Sequence, residues 1–197
     1  MRTKVLLGVA VALMLVVSVA TIGSNMGFKI SIPLTVGYDN YVGIPYYNSY
    51  TDANSVLTDI GANAVTVNRW DNTLGGLQTW NGVRGDNFAI TPGEAYIVIV
   101  SATTNWIVVG SHNPGLAVPL TINYDNYVSV PYHTTATNAG TLWSQIPDCA
   151  TVNRWDNTLG GLQTWNGVRG DNFPLTPGEG LIIIVNSSSA SWAPAHY

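Results

Sequence analysis

The chain is predicted to be mainly β: two tandem homologous modules, each a small antiparallel β-barrel or sandwich with one short helix, preceded by a signal peptide. Three observations predict this. TVNRWDNTLGGLQTWNGVRGDNF (residues 66–88) recurs letter for letter at residues 151–173, and a fixed-period repeat sets the architecture before any local reading. Similarity continues outward, since IPLTVGYDNYVGIPY (32–46) matches VPLTINYDNYVSVPY (118–132) and ITPGEAYIVIV (90–100) matches LTPGEGLIIIV (175–185). Short apolar runs alternate with turn signals roughly every ten residues, as in an all-β unit. The modules span residues 25–112 and 113–197, large enough for a small core each.

The N-terminus comes first. MRTK is basic, residues 5–22 carry no charge, and Ser18 and Ala20 are small where a signal peptidase prefers small residues. Residues 1–20 therefore read as a signal peptide cleaved after Ala20. The alternative is an uncleaved anchor reaching about residue 24, because about 18 apolar residues approach a bilayer span. A core helix is the weaker rival, since residues 5–17 offer no polar face. Both leading readings place the modules outside the cytoplasm.

Within a module, NYVGIPY (40–46) puts Val42, Ile44 and Tyr46 on one face, and its copy does so with Val128, Val130 and Tyr132. This period of two is a strand; Pro45 and Pro131 make it an edge or mark its end. A short helix follows, N-capped by Asp52 or Asn138. Val56, Leu57 and Ile60 match Leu142, Trp143 and Ile146 at helical spacing, and Pro147 ends the second copy. Residues 64–70 form the next strand, 71–76 turn, and 77–80 return. Trp70 is expected to face Trp80 across this hairpin, and Trp155 to face Trp165. Asn81-Gly82 is a tight-turn signal. Thr91-Pro92-Gly93-Glu94 suits a type II turn and launches residues 95–100, the most apolar run and so the central strand. Residues 106–109, and those from Trp192 onward, make a last strand. Only GSHNPG (110–115) separates the modules, too short for a flexible tether, so their relation should be fixed.

Composition narrows function. Beyond residue 20, five basic residues face eleven acidic ones, which argues against nucleic acid and against an anionic lipid surface. Membrane contact is expected only through an uncleaved N-terminal segment. Charged residues are 9% of the chain and aromatics 10%. A surface of amides and hydroxyls suits neutral sugars or close contact between copies better than life as a free monomer. Cys149 is alone, so no intramolecular disulfide forms, and its counterpart Ala64 marks a small buried site.

The repeated stretch supplies the candidate contacts: Trp70, Asp71, Asn72, Trp80, Asn81 and Arg84, with Trp155, Asp156, Asn157, Trp165, Asn166 and Arg169. Exposed indoles beside amides and carboxylates suit a sugar face, while cross-strand Trp pairs also stabilise small sheets. Arg69, Arg84, Arg154 and Arg169 each stand near an acid and read as local ion pairs, worth little when exposed. Arg84-Gly85-Asp86 and Arg169-Gly170-Asp171 spell the integrin tripeptide but read as turn chemistry. Asp39-Asn40 and Asp125-Asn126, with the Asp-Asn pairs of the repeated stretch, offer oxygens for calcium, without the spacing of a calcium loop. His112, His133 and His196 share no metal-ligand spacing, so no metal site and no cofactor are expected. No His shared by both modules stands near a Ser or Cys, and the acids Asp71 and Glu94 have no spacing that singles them out for glycoside chemistry. The chain is read as no enzyme. Asn186-Ser187-Ser188 is the only N-x-[ST] glycosylation sequon.

The order NYVSVPY, TVNRWD, LQTW, LTPGEG and an apolar strand resembles a tandem repeat of secreted and cell-surface proteins of bacteria and archaea. In that repeat an N-terminal "SIP" strand, a "W/Y-D" hairpin and a "PG-x-G-Y" strand recur. This chain departs from it at Ala95 and at Gly180-Leu181. The resemblance implies an extracellular structural or adhesive role and no defined ligand. The expected function is a non-enzymatic subunit of a filament, sheath or surface layer whose partners are copies of itself. The alternative is an adhesion module that binds polysaccharide through the repeated hairpin.

Overall fold

A computed structural model describes residues 27–44, 47–187 and 191–195. The signal-peptide reading, Pro45, Tyr46 and His196 fall outside the described residues. The first repeat contains β1 (Gly27–Leu34), β2 (Asn40–Gly43), α1 (Ala53–Ile60), β3 (Ala64–Asp71), β4 (Gly76–Trp80), β5 (Ala95–Val100) and β6 (Thr104–Ser111). The second contains β7 (Val118–Pro119), β8 (Asn126–Ser129), α2 (Ala139–Gln145), β9 (Cys149–Asp156), β10 (Gly161–Trp165), β11 (Gly180–Val185) and β12 (Ser191–Trp192).

The strands form two four-stranded sheets of matching order, β2-β5-β3-β4 and β8-β11-β9-β10, and two ribbons, β1-β6 and β7-β12. All these pairings are antiparallel. The chain is therefore mainly β, but the sheets are open, which corrects the barrel expectation. Four short strands are too few to close around side chains. β5 and β11 are central, as their apolar sequence predicts, and β2 and β8 are edges. β1 pairs with β6 over its whole length, from Gly27 opposite Ser111 to Leu34 opposite Thr104.

One face of each sheet builds a core. In the first, Val42 lies opposite Tyr96 and Val67 opposite Val98, and α1 covers them with Val56 while β1 and β6 add Leu34, Trp106 and Val108. In the second, Val128, Val152, Leu181 and Ile183 meet Leu142 of α2 and Trp192. Each fully buried aliphatic side chain contributes about 1.5–3 kcal/mol. Both helices start at the expected caps. The Asp52 carboxylate accepts the Ser55 N–H at 2.8 Å and the Ser55 hydroxyl accepts the Asp52 N–H at 3.2 Å; Asn138 and Thr141 repeat the box. Each cap is worth about 1 kcal/mol.

The two sheets meet along a seam with local two-fold character. The Gly43 N–H donates to Gly178 O at 2.8 Å, and the equivalent Ser129 N–H donates to Gly93 O at 2.9 Å. Gly110 and Ser111 belong to β6, so little loose chain remains between the repeats.

Candidate functional site

The hairpin register decides where the predicted contact residues go. Asp71 pairs with Gly76, which puts Trp70 opposite Leu77 and Trp80 opposite Val67. Trp155 likewise lies opposite Leu162, and Trp165 opposite Val152. The expected Trp–Trp pairs are therefore corrected. Trp70 sits three residues from Val67, so alternation sends the two indoles of a repeat to opposite faces of the sheet. The turn enforces this register: the Asp71 carboxylate accepts the N–H groups of Thr73 and Leu74 at 2.8 and 3.1 Å. Hydrogen bonds from Thr73 and Leu74 hold the Asp71 carboxyl below its usual pKa, and Thr158 and Leu159 do the same for Asp156.

Trp80 and Trp165 turn inward and pack against the two cores. Trp70 and Trp155 turn to the seam. Tyr127 stacks on Trp70 at 5.8 Å and on Tyr41 at 6.0 Å, and Tyr41 stacks in turn on Trp155 at 6.0 Å. Rings from the two sheets thus alternate in one ladder, Trp70–Tyr127–Tyr41–Trp155. Each such pair adds about 0.5–1.5 kcal/mol beyond its buried area. Asn72 and Asn157 tie the ends. The Trp70 Nε1–H donates to Asn72 Oδ1 at 2.8 Å, while Asn72 Nδ2 donates to Asp125 O at 3.2 Å. Trp155, Asn157 and Asp39 O form the twin arrangement at 3.1 and 3.1 Å.

Two clefts flank the ladder. Arg69, Trp70, Asn72, Glu94, Asp125 and Tyr127 line one of about 240 Å³. Arg154, Trp155, Asn157, Glu179, Asp39 and Tyr41 line its twin of about 290 Å³. The arginines do not form the expected pairs with neighbouring acids. Arg69 Nε and Arg154 Nε each donate to a glutamine across the hairpin, Gln78 and Gln163, at 2.9 Å. Their guanidinium groups also lie over Phe88 and Phe173, 4.9 and 4.5 Å from the ring centroids, a cation–π arrangement. The only salt bridge among the described residues is Arg154 to Glu179 at 3.6 Å.

The glutamates of the two clefts have different partners. Tyr96 donates its hydroxyl to Glu94 Oε2 at 2.9 Å, whereas the equivalent residue in the second repeat is Leu181. Glu179 instead reaches Arg154 and accepts the Thr176 N–H at 3.1 Å. Burial raises the pKa of both glutamates, against the lowering effect of these partners.

Asn81 and Asn166 serve turns: each side chain accepts two backbone N–H groups, Val83 and Arg84 in the first repeat, Val168 and Arg169 in the second, at 2.7–3.0 Å. Arg84 and Arg169 stand on those exposed turns, away from either cleft. Between them and their acids lies a glycine that must be one. Gly85 has φ +105°, and a Cβ there would stand 1.9 Å from Thr79 O. Asn186 is exposed, and Ser188 of its sequon is outside the described residues. Asn40 and Asn126 bond to their own loops, including Thr35 N at 2.8 Å and Thr121 N at 2.6 Å. The sequence reading missed Tyr41, Tyr127, Glu179, Asp39 and Asp125 as site residues. For the tyrosines and aspartates the shared YDNY is the available signal, but its sequence points to strand positions and to calcium oxygens at Asp39 and Asp125, not to a seam between the repeats. No protein-family model matches the chain, and neither curated proteins nor solved structures give a match.

Proposed function

We propose that the chain is a non-enzymatic structural subunit of the cell surface, in which two homologous modules, residues 25–112 and 113–197, assemble with copies of themselves into a filament, sheath or layer. One observation carries this reading. The identical stretches present identical apolar side chains to solvent: Leu74, Leu77 and Val83 are 66%, 48% and 81% exposed, and Leu159, Leu162 and Val168 are 66%, 48% and 80% exposed. Scattered exposed apolar residues are ordinary, but two matched sets on a two-fold body make each copy bivalent. Contacts between such sets on successive copies propagate when rotation does not close them. A chain with only 9% charged residues has little charge repulsion to oppose association.

Export rests on the basic start and the uncharged run at residues 5–22, and the resemblance to tandem surface repeats agrees with it. Electron microscopy and light scattering on the purified chain test assembly. The parent should form ordered polymers, and Val83→Asp with Val168→Asp should leave a folded, dispersed species. A parent that stays monomeric at high concentration overturns the reading.

A further inference from the structure

We propose that each cleft at the seam binds one sugar residue of a neutral polysaccharide, so that a single chain holds its ligand at two points. This goes beyond self-assembly and does not depend on it. In the first cleft, Trp70 and Tyr127 provide aromatic surface beside the Arg69 guanidinium, the Glu94 and Asp125 carboxylates and the Asn72 amide. A sugar hydroxyl both donates and accepts hydrogen bonds, and its ring carries an apolar C–H face. A lining that mixes a strong donor, strong acceptors and aromatic carbon matches that chemistry. A lining of one charge sign would have indicated an ion instead.

The cleft walls are held before any ligand arrives. Gln78 fixes Arg69, Tyr96 fixes Glu94, and Asn72 is bonded on both sides of the seam. Such preorganisation reduces the ordering cost of binding. The twin cleft repeats each group, and the match extends beyond the identical stretch to Asp39, Tyr41 and Glu179. Elsewhere in the same repeats residues differ freely, as at Tyr47 against His133 and Leu57 against Trp143. The seam holds the two clefts on one rigid body, so a polymer of repeating sugars can engage both, and the second contact gains from effective concentration.

Asp125 and Asp39 give the cleanest test, because neither carboxylate has a hydrogen bond or salt bridge among the described residues. The purified chain is screened on an array of neutral gluco-, manno-, galacto- and xylo-oligosaccharides, and the best binder is titrated by calorimetry. Two sites per chain are expected. Asp125→Ala should weaken one site about tenfold and Asp39→Ala the other, the size of one lost charge-assisted hydrogen bond, with melting unchanged. Val83→Asp with Val168→Asp should bind like the parent, which separates binding from assembly. Absence of binding to every oligosaccharide, a single site per chain, or binding by the double Asp variant as tight as the parent's each overturns the proposal.

Discussion

Gly43 and Ser129, equivalent positions of the two repeats, lie against each other across the seam: a Cβ on Gly43 would stand 2.1 Å from Ser129 Oγ. The same asymmetry recurs nearby, where a Cβ on Gly180 would stand 2.9 Å from that of its counterpart Ala95. One partner of each pair is glycine, so the seam admits a first repeat against a second. A second repeat against another would bring serine to serine where even one extra carbon does not fit. Gly43→Ser should therefore destabilise the chain by about 1–3 kcal/mol, the usual cost of overpacking. Adding Ser129→Gly should restore most of the loss, because it exchanges the two residues across the two-fold. Denaturant melts of both variants check this, and a double variant no better than the single one contradicts the packing.

The two indoles of a repeat should respond differently to truncation. Trp80→Ala removes a partly buried ring from the first core and its Nε1 bond to Asn54 Oδ1 at 3.1 Å. It should cost about 2–4 kcal/mol, somewhat below a fully buried tryptophan. Trp70→Ala removes one end of the ladder and should cost less. Amide exchange discriminates the sites: Gly43 and Ser129 should exchange faster in Trp70→Ala, while β3 and β5 amides should do so in Trp80→Ala.

Glu94 should make stability fall as pH rises. Burial raises its folded pKa above the ordinary 4.5, so the charged carboxylate is less favourable in the folded chain than in the unfolded one. Below 4.5 both states are protonated and no penalty exists; through the raised folded value the penalty appears in full. Glu94→Gln keeps an acceptor for Tyr96 and removes the charge. Its Tm should exceed the parent's at pH 7, with the gain vanishing below about 4.5. A gain that instead grows toward acid pH contradicts the assignment.

Cys149 should be inert in the folded chain. The thiol is 6% exposed and its pKa is pushed up to about 12 by burial, so almost no thiolate exists near neutrality. Iodoacetamide at pH 8 should leave the native chain unmodified and label it fully in denaturant. Labelling at equal rates in both states would place the thiol at the surface.

Local features of the fold were legible because they depend on neighbours in sequence. Asp52 and Asn138 cap helices through residues three positions on, Glu94 N–H closes the expected Thr91 turn at 3.2 Å, and the apolar β5 and β11 take the sheet centres. The hairpin was half legible. Its turn lies within residues 71–76 as expected, but a cross-strand pair depends on register to the residue, and the Asp71–Gly76 pairing sends Trp70 and Trp80 to opposite faces.

The sequence by itself determined that the chain is a mainly β duplication with two capped helices, since repetition, periodicity and turn residues are all short-range signals. Only the tertiary structure decided what the identical stretches meet. Trp70 stacks on Tyr127, 57 positions later in the numbering, and Asn72 bonds to Asp125 O, separated by 53. No local preference encodes such contacts. They arise because two open sheets each leave an aromatic face uncovered, and packing one face against the other takes part of each out of water.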